Sequence, residues 1–214
     1  MKLNLNNDCL YIGNKKSASI NIIWFHGYGS NNWSFEPILK VLNDSLAEKL
    51  FIIVPNAKYV DGRRSWYPLP VVNEDNLISE DFDGLTASKG LVYDFIEEND
   101  LDVKKPLVVG GFSQGAALSL SLIFDKKIKI DGCVAISGYF PCADRLTNKL
   151  TDEEQIYISH GRKDQAIGFD VYERTLELIK SKCSKVYNFE GEHGHTMPKD
   201  SLETISKFIQ SNYL

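Results

Sequence analysis

The run Leu107-Val108-Val109-Gly110-Gly111-Phe112-Ser113-Gln114-Gly115-Ala116-Ala117-Leu118 joins a short β-branched strand to a small-residue helix through a glycine-bounded serine. Residues 107–111 read as a buried strand and 113–124 as a helix, so Gly111-Phe112-Ser113-Gln114-Gly115 spans a strand-to-helix turn. In that setting a G-x-S-x-G sequence carries weight that five letters alone lack. The serine sits on a tight, strained turn that lifts its hydroxyl clear of the sheet. Gly111 and Gly115 remove the side chains that would hold strand and helix apart. The N-terminus of the helix lends partial positive charge to any oxyanion formed beside it. The bland alternative is a glycine-bounded turn in which Ser113 only caps the helix.

On either side of this turn, short β-branched runs alternate with helical patterns. That alternation predicts an α/β fold with a mostly parallel central sheet flanked by helices on both faces. Strands are predicted over 20–26, 50–54, 107–111, 130–137, 155–160 and 185–189, and helices over 35–46, 80–98, 113–124, 169–179 and 201–212. Residues 56–76 are irregular and rich in Pro, Gly, Trp and Tyr, the kind of long loop that tends to be functional. No repeat, low-complexity tract or linker divides the chain, so 1–214 reads as one domain without a large cap domain.

The bulk properties exclude several classes. A chain of 214 residues, 43% hydrophobic and 25% charged, can bury a large core. A net charge of -5 leaves no electrostatic footprint for nucleic acid and no basic surface for anionic lipid. The longest apolar runs, such as Ile20-Asn21-Ile22-Ile23-Trp24-Phe25, are far too short to span a bilayer, so no stable membrane insertion is expected. The first ten residues, interrupted by Asn4, Asn6, Asn7 and Asp8, hold no signal-peptide core, and a cytoplasmic location is expected. Cys9, Cys133, Cys142 and Cys183 lie far apart with no C-x-x-C pair, which suits free thiols and no metal site.

A serine hydroxyl needs a histidine to take its proton and a carboxylate to orient that histidine. On this architecture the partners follow in the order Ser, acid, His, on loops after later strands. Gly161-Arg162-Lys163-Asp164 follows the strand at 155–160, and Asp164 is its first acidic residue. Asp170 competes, but falls in the next helix. Glu190-Gly191-Glu192-His193-Gly194-His195 follows the strand at 185–189. His26 and His160 each end a strand before a glycine, where an imidazole caps or packs a turn. The base is therefore His193 or His195, and His195 is preferred because Gly194 permits a tight turn and the closing helix is near. The oxyanion hole should combine the backbone amide of Gln114 with one from His26-Gly27-Tyr28-Gly29, with Tyr28 as second donor. A phosphate loop there is disfavoured, because no G-K-[ST] follows.

These segments, with HGYG at His26, GFSQGAA around Ser113, HGRKD ending at Asp164 and the Gly194-His195 pair, resemble the phospholipase/carboxylesterase family, which includes acyl-protein thioesterases. The resemblance covers nearly the whole chain. It implies an α/β-hydrolase fold, no cofactor, a triad of Ser113, Asp164 and His195, and oxyanion donors at Tyr28 and Gln114. It also sets Ser65-Trp66-Tyr67 beside an acyl pocket and implies a homodimer covering the site. Two positions depart from the family pattern: Ser30 stands where an Asp usually follows H-G-x-G, and Gly168 where a proline usually follows the acid. Both bear on pocket shape rather than on the catalytic groups.

Trp66, Leu69, Val71, Val72 and Ile167 are the candidate acyl-pocket residues, being apolar and on loops near the expected site. The acidic stretch at 74–83 reads as a solvated face. The expected reaction is hydrolysis of short- to medium-chain acyl esters by a serine carboxylesterase through an acyl-enzyme. The alternatives with the same machinery are an acyl-protein thioesterase and a lysophospholipase, so the partner is a small acyl ester or thioester, an acylated protein or a lysophospholipid. A peptidase is disfavoured, because the sequence offers no evident cap or propeller to restrict peptides. From another class, the competitor is a non-catalytic binding protein on the same fold, against which stands the presence of all three triad candidates.

Overall fold

The computed structural model describes residues 5–72 and 78–214. Its centre is a seven-stranded sheet built from β1 (Cys9–Ile12), β2 (Ile20–Phe25), β3 (Leu50–Pro55), β8 (Leu107–Phe112), β9 (Gly132–Ile136), β10 (Gln155–Gly161) and β11 (Val186–Gly191). The spatial order is β1-β3-β2-β8-β9-β10-β11, with β1 antiparallel to β3 and every other pair parallel. Five helices connect the strands: α1 (Glu36–Ser45), α2 (Phe82–Glu98), α3 (Gln114–Asp125), α4 (Phe169–Lys182) and α5 (Lys199–Tyr213).

The central strands are apolar on both faces because both are covered. Ile23, Phe25, Ile53, Val109, Ala135 and Ile158 point into one core, shared with α2, α3 and α4. Ile22, Trp24, Ile52, Val108, Val134 and Tyr157 point into the other, shared with α1 and α5. Residues 114–124 of α3 are buried on every side, as expected for a helix wedged between sheet and neighbours. Surface helices start where the chemistry allows. Pro37 lies in the first turn of α1, where its missing N–H costs nothing, and the Asp81 side chain accepts from Gly84 N at 2.8 Å to cap α2.

The sequence-predicted strands and helices are all present, with ends displaced by at most three residues. β1 was not expected: a four-residue edge strand between Asp8 and Gly13 has no alternation strong enough to announce itself. The stretch at 56–76 is also less irregular than its composition suggests. It contains the short ladder β4 (Tyr59–Val60) with β5 (Arg63–Arg64), and β6 (Val71–Val72), which pairs with β7 (Ile78–Ser79). Among the described residues, no helix is long and apolar enough to cross a membrane.

Candidate active site

Ser113 stands between β8 and α3 with φ +56° and ψ −118°, a conformation that L-residues adopt only under constraint. Two backbone bonds hold it: its N–H donates to the Ile136 carbonyl at 2.9 Å, and its carbonyl accepts from Ala117 N at 3.0 Å. The turn requires glycine at Gly115, where an added Cβ would lie 2.0 Å from the Phe25 carbonyl oxygen, and at Gly111, where it would lie 2.5 Å from both Gly115 C and that oxygen. Ser113 occupies the N-cap position, yet its side chain makes no capping bond. The hydroxyl is therefore not spent on capping the helix.

His195 Nδ1 lies 2.7 Å from Asp164 Oδ2. Because a carboxylate oxygen can only accept, Nδ1 carries the proton and Nε2 is left as the basic nitrogen. The ring packs 4.7 Å from that of Phe112, which holds it beside the elbow, and both His195 and Ser113 line one cleft. The Asp164 side chain is fully buried, and its Oδ1 accepts from Ala166 N at 2.8 Å and Ile167 N at 3.0 Å. Burial alone would push this carboxyl up, but the Ile167 amide, His195 and the Ala166 amide outweigh it and hold Asp164 below its usual range. His193 is turned elsewhere, with Nδ1 2.9 Å from the Gly194 carbonyl and its ring against Gly161 and Gly191. Asp170 is on α4, paired with Arg174.

Residues 26–29 run beside the elbow: a Cβ on Gly27 would sit 3.4 Å from that of Ser113. The 27–30 turn closes through Ser30 N to the Gly27 carbonyl at 3.1 Å, with Gly29 at φ +71°. Among the described residues, neither Tyr28 N nor Gln114 N has a protein acceptor. His26 anchors this turn from below. It is fully buried, accepts from Ala57 N at Nε2 (3.1 Å) and donates from Nδ1 to the Gly27 carbonyl (2.7 Å). Burial chiefly drives its pKa down to about 4.

The Gln114 side chain, which sequence reasoning did not single out, ties the elbow to Ser65-Trp66-Tyr67. Its Oε1 accepts from Trp66 N at 3.1 Å, and its Nε2 donates to the Tyr67 carbonyl at 2.7 Å. Trp66 Nε1 in turn donates to the His26 carbonyl at 2.8 Å. The elbow, the 26–29 turn and the aromatic loop thus form one bonded unit.

The cleft has a volume of about 720 Å³ and runs from Ser113 along one face of α4. Leu69 and Ile167 line it. Trp66 does not: its ring is buried edge-on against Phe25 at 5.1 Å, with its N–H satisfied inside. Val71 does not either, lying 64% exposed on β6, while the side chain of Val72 falls outside the described residues. The walls are instead completed by Tyr139, Phe140, Val171 and Leu178. On α4 the signal was available: Val171, Thr175 and Leu178 share a stripe at helical spacing beside the core stripe of Tyr172 and Ile179. Glu80 departs from the solvated face expected of 74–83. It is half-buried at the cleft, accepts from Cys142 N at 2.8 Å, and burial raises its pKa.

A strained serine at a helix start, a carboxylate-oriented imidazole and two unpaired amides in one apolar cleft can carry acyl transfer from oxygen or sulfur. Fold and comparisons together define a carboxylic ester hydrolase on the α/β-hydrolase architecture. The sequence model of the phospholipase/carboxylesterase family matches residues 7–213, and the chain belongs to that family. It is 28% identical to acyl-protein thioesterase 1 of Candida albicans, over 92% of this chain and 94% of that one. Among solved structures, maize acyl-protein thioesterase 2 superposes with a TM-score of 0.83 at 22% identity, covering 96% of this chain and 99% of that one. The Bacillus cereus carboxylesterase does so with a TM-score of 0.79 at 16% identity, covering 96% and 94%.

Proposed function

We propose that the chain is a serine acyl hydrolase that releases medium- to long-chain acyl groups from thioesters and oxygen esters through an acyl-enzyme on Ser113. The observation that carries this reading is the 2.7 Å bond between Asp164 and His195, made in the same cleft that Ser113 lines. Ser113 Oγ attacks the acyl carbonyl while His195 Nε2 takes its proton, and Asp164 stabilises the imidazolium that results. The Tyr28 and Gln114 amides receive the oxyanion of the tetrahedral intermediate. Its collapse expels the thiol or alcohol with the proton from His195. Water then enters by the same acid–base sequence and frees the carboxylic acid.

An acylated protein is the substrate that the named relatives favour over a free short ester. The apolar cleft along α4 supports a chain longer than acetyl or butanoyl. The test compares p-nitrophenyl esters from acetyl to hexadecanoyl, and an S-acylated peptide, on wild type and Ser113→Ala. The expected result is thioester cleavage with a preference for the longer chains, and a loss of at least about 10³-fold in Ser113→Ala. Equal rates in the two proteins would overturn the assignment of the nucleophile. A sharp optimum at acetyl with no thioester cleavage would return the substrate to short esters.

A further inference from the structure

We infer that His160, a buried histidine outside the proposed triad, is a positioning residue that locks the acid loop so that Asp164 presents one oxygen to His195. The inference rests on the proposed pairing of Asp164 with His195 and adds to it the group that fixes that pair.

His160 is the penultimate residue of β10, four residues before Asp164, and its side chain is wholly buried. Nε2 lies 2.9 Å from the Ile167 carbonyl and 3.4 Å from Asp164 Oδ2, the same oxygen that bonds His195. A carbonyl can only accept, so the Nε2 proton is fixed, with the short branch to Ile167 and a long second branch to the carboxylate. Nδ1 is buried and has no partner among the described residues. As a bare lone pair that nitrogen is tolerable, whereas a proton there would be an unsatisfied buried donor. The ring is therefore a neutral N–H donor of single orientation. It is also held flat, stacked on Tyr172 of α4 at 5.1 Å with 22° between planes.

The consequence runs through the loop. Asp164 Oδ1 is gripped by the amides of Ala166 and Ile167, a grip that exists only while residues 164–167 keep their turn. From outside, the turn is held at Asp164 by its N–H to the Gly161 carbonyl and at Ile167 by the bond from His160 to the Ile167 carbonyl. With Oδ1 spent on the loop, Oδ2 faces His195 at bonding distance, with the His160 N–H as its longer second contact. Ile167 also forms a wall of the acyl cleft, so the same bond sets the acid and the substrate wall together. Core packing alone would need neither the N–H nor its aim: phenylalanine would stack on Tyr172 equally well.

Two substitutions separate the roles. His160→Phe keeps the stacking and removes the donor; His160→Gln restores an N–H at the same bond separation from the backbone. Each is compared with wild type by thermal unfolding, by kcat and KM on a p-nitrophenyl ester, and by proton NMR of the downfield His195 Nδ1–H. The expected result is a folded His160→Phe whose kcat falls about 10- to 100-fold, a loss in the range of misplaced catalytic groups. Its downfield proton is lost or moves upfield, and His160→Gln recovers most of both signals. Full kcat and an unmoved proton in His160→Phe would overturn the inference, as would equal losses in both variants that track only unfolded fraction. The NMR signal reports the Asp164–His195 bond whether or not Ser113 is the nucleophile. A failure of the proposed function, with Ser113→Ala fully active, is thereby told apart from a failure of the positioning role.

Discussion

At the scale of single residues, the site depends on groups whose work is to hold other groups still. Gln114 contributes its amide to the proposed oxyanion hole, while its side chain satisfies both Trp66 N and the Tyr67 carbonyl. Gln114→Leu keeps the volume and the amide but leaves the buried Trp66 N–H unpaired, while the Tyr67 carbonyl retains only the Ser65 hydroxyl. It is expected to cost about 1–3 kcal/mol of stability in urea unfolding and to lower kcat more than KM, as the aromatic loop loosens. Unchanged unfolding would show that the clamp contributes nothing. The positions of the proposed triad residues Ser113, Asp164 and His195 were legible because each sits just beyond a strand end in a fixed order. The supporting bonds were not, since nothing in sequence spacing joins Gln114 to Trp66, 48 residues away. Trp66 misled for a related reason: a loop tryptophan offers its area equally to substrate or to core, and only its bonded N–H decides.

At the scale of elements, the strand ends bind the site to the fold. β2 ends at Phe25, and buried His26 follows as the support of the proposed oxyanion loop. The sequence marked His26 as a turn residue, but its two opposite bonds needed the third dimension. Burial keeps it neutral down to about pH 4 in the folded chain, whereas an unfolded histidine takes its proton near pH 6.5. The unfolded state therefore binds more protons between those values, and stability falls as pH is lowered through that window. From pH 7.5 to 5 the loss from this one group is about 2 kcal/mol. His160, also lowered chiefly by burial, acts in the same direction. Asp164, held below its usual range, loses its contribution only at lower pH. Urea titrations at the two pH values should show the loss in wild type and a shallower dependence in His26→Gln. A flat wild-type dependence would contradict a neutral buried imidazole.

At the scale of the whole molecule, the sheet order explains why the site lies where it does. The chain lays β3 beside β2, then crosses back to set β8 on the other side of β2. The order reverses between β2 and β8, and loops leaving their carboxyl ends diverge to open a crevice. The proposed oxyanion loop follows β2, the elbow follows β8, and the proposed acid and base follow β10 and β11. The alternation of strands and helices made this architecture readable from sequence. The edge strand β1 was not, being short and paired only on one side. The cleft was half readable, because its far wall is a second face of α4 rather than a loop. Leu178 lies seven residues beyond Val171, about 10 Å along the helix axis. Leu178→Trp should therefore lower kcat/KM for hexadecanoyl esters at least about 10-fold and leave acetyl esters within about 2-fold. An equal effect on both would place the acyl chain elsewhere.

The central claim is covalent chemistry on Ser113, and the most direct measurement is an acid quench of the wild-type protein early in turnover of a long-chain thioester. Peptide mass spectrometry of the quenched protein should find the acyl group on Ser113 alone, absent from Ser113→Ala and accumulating in His195→Gln only far more slowly. An acyl group on another residue, or turnover at full rate with no acylated peptide, would contradict it.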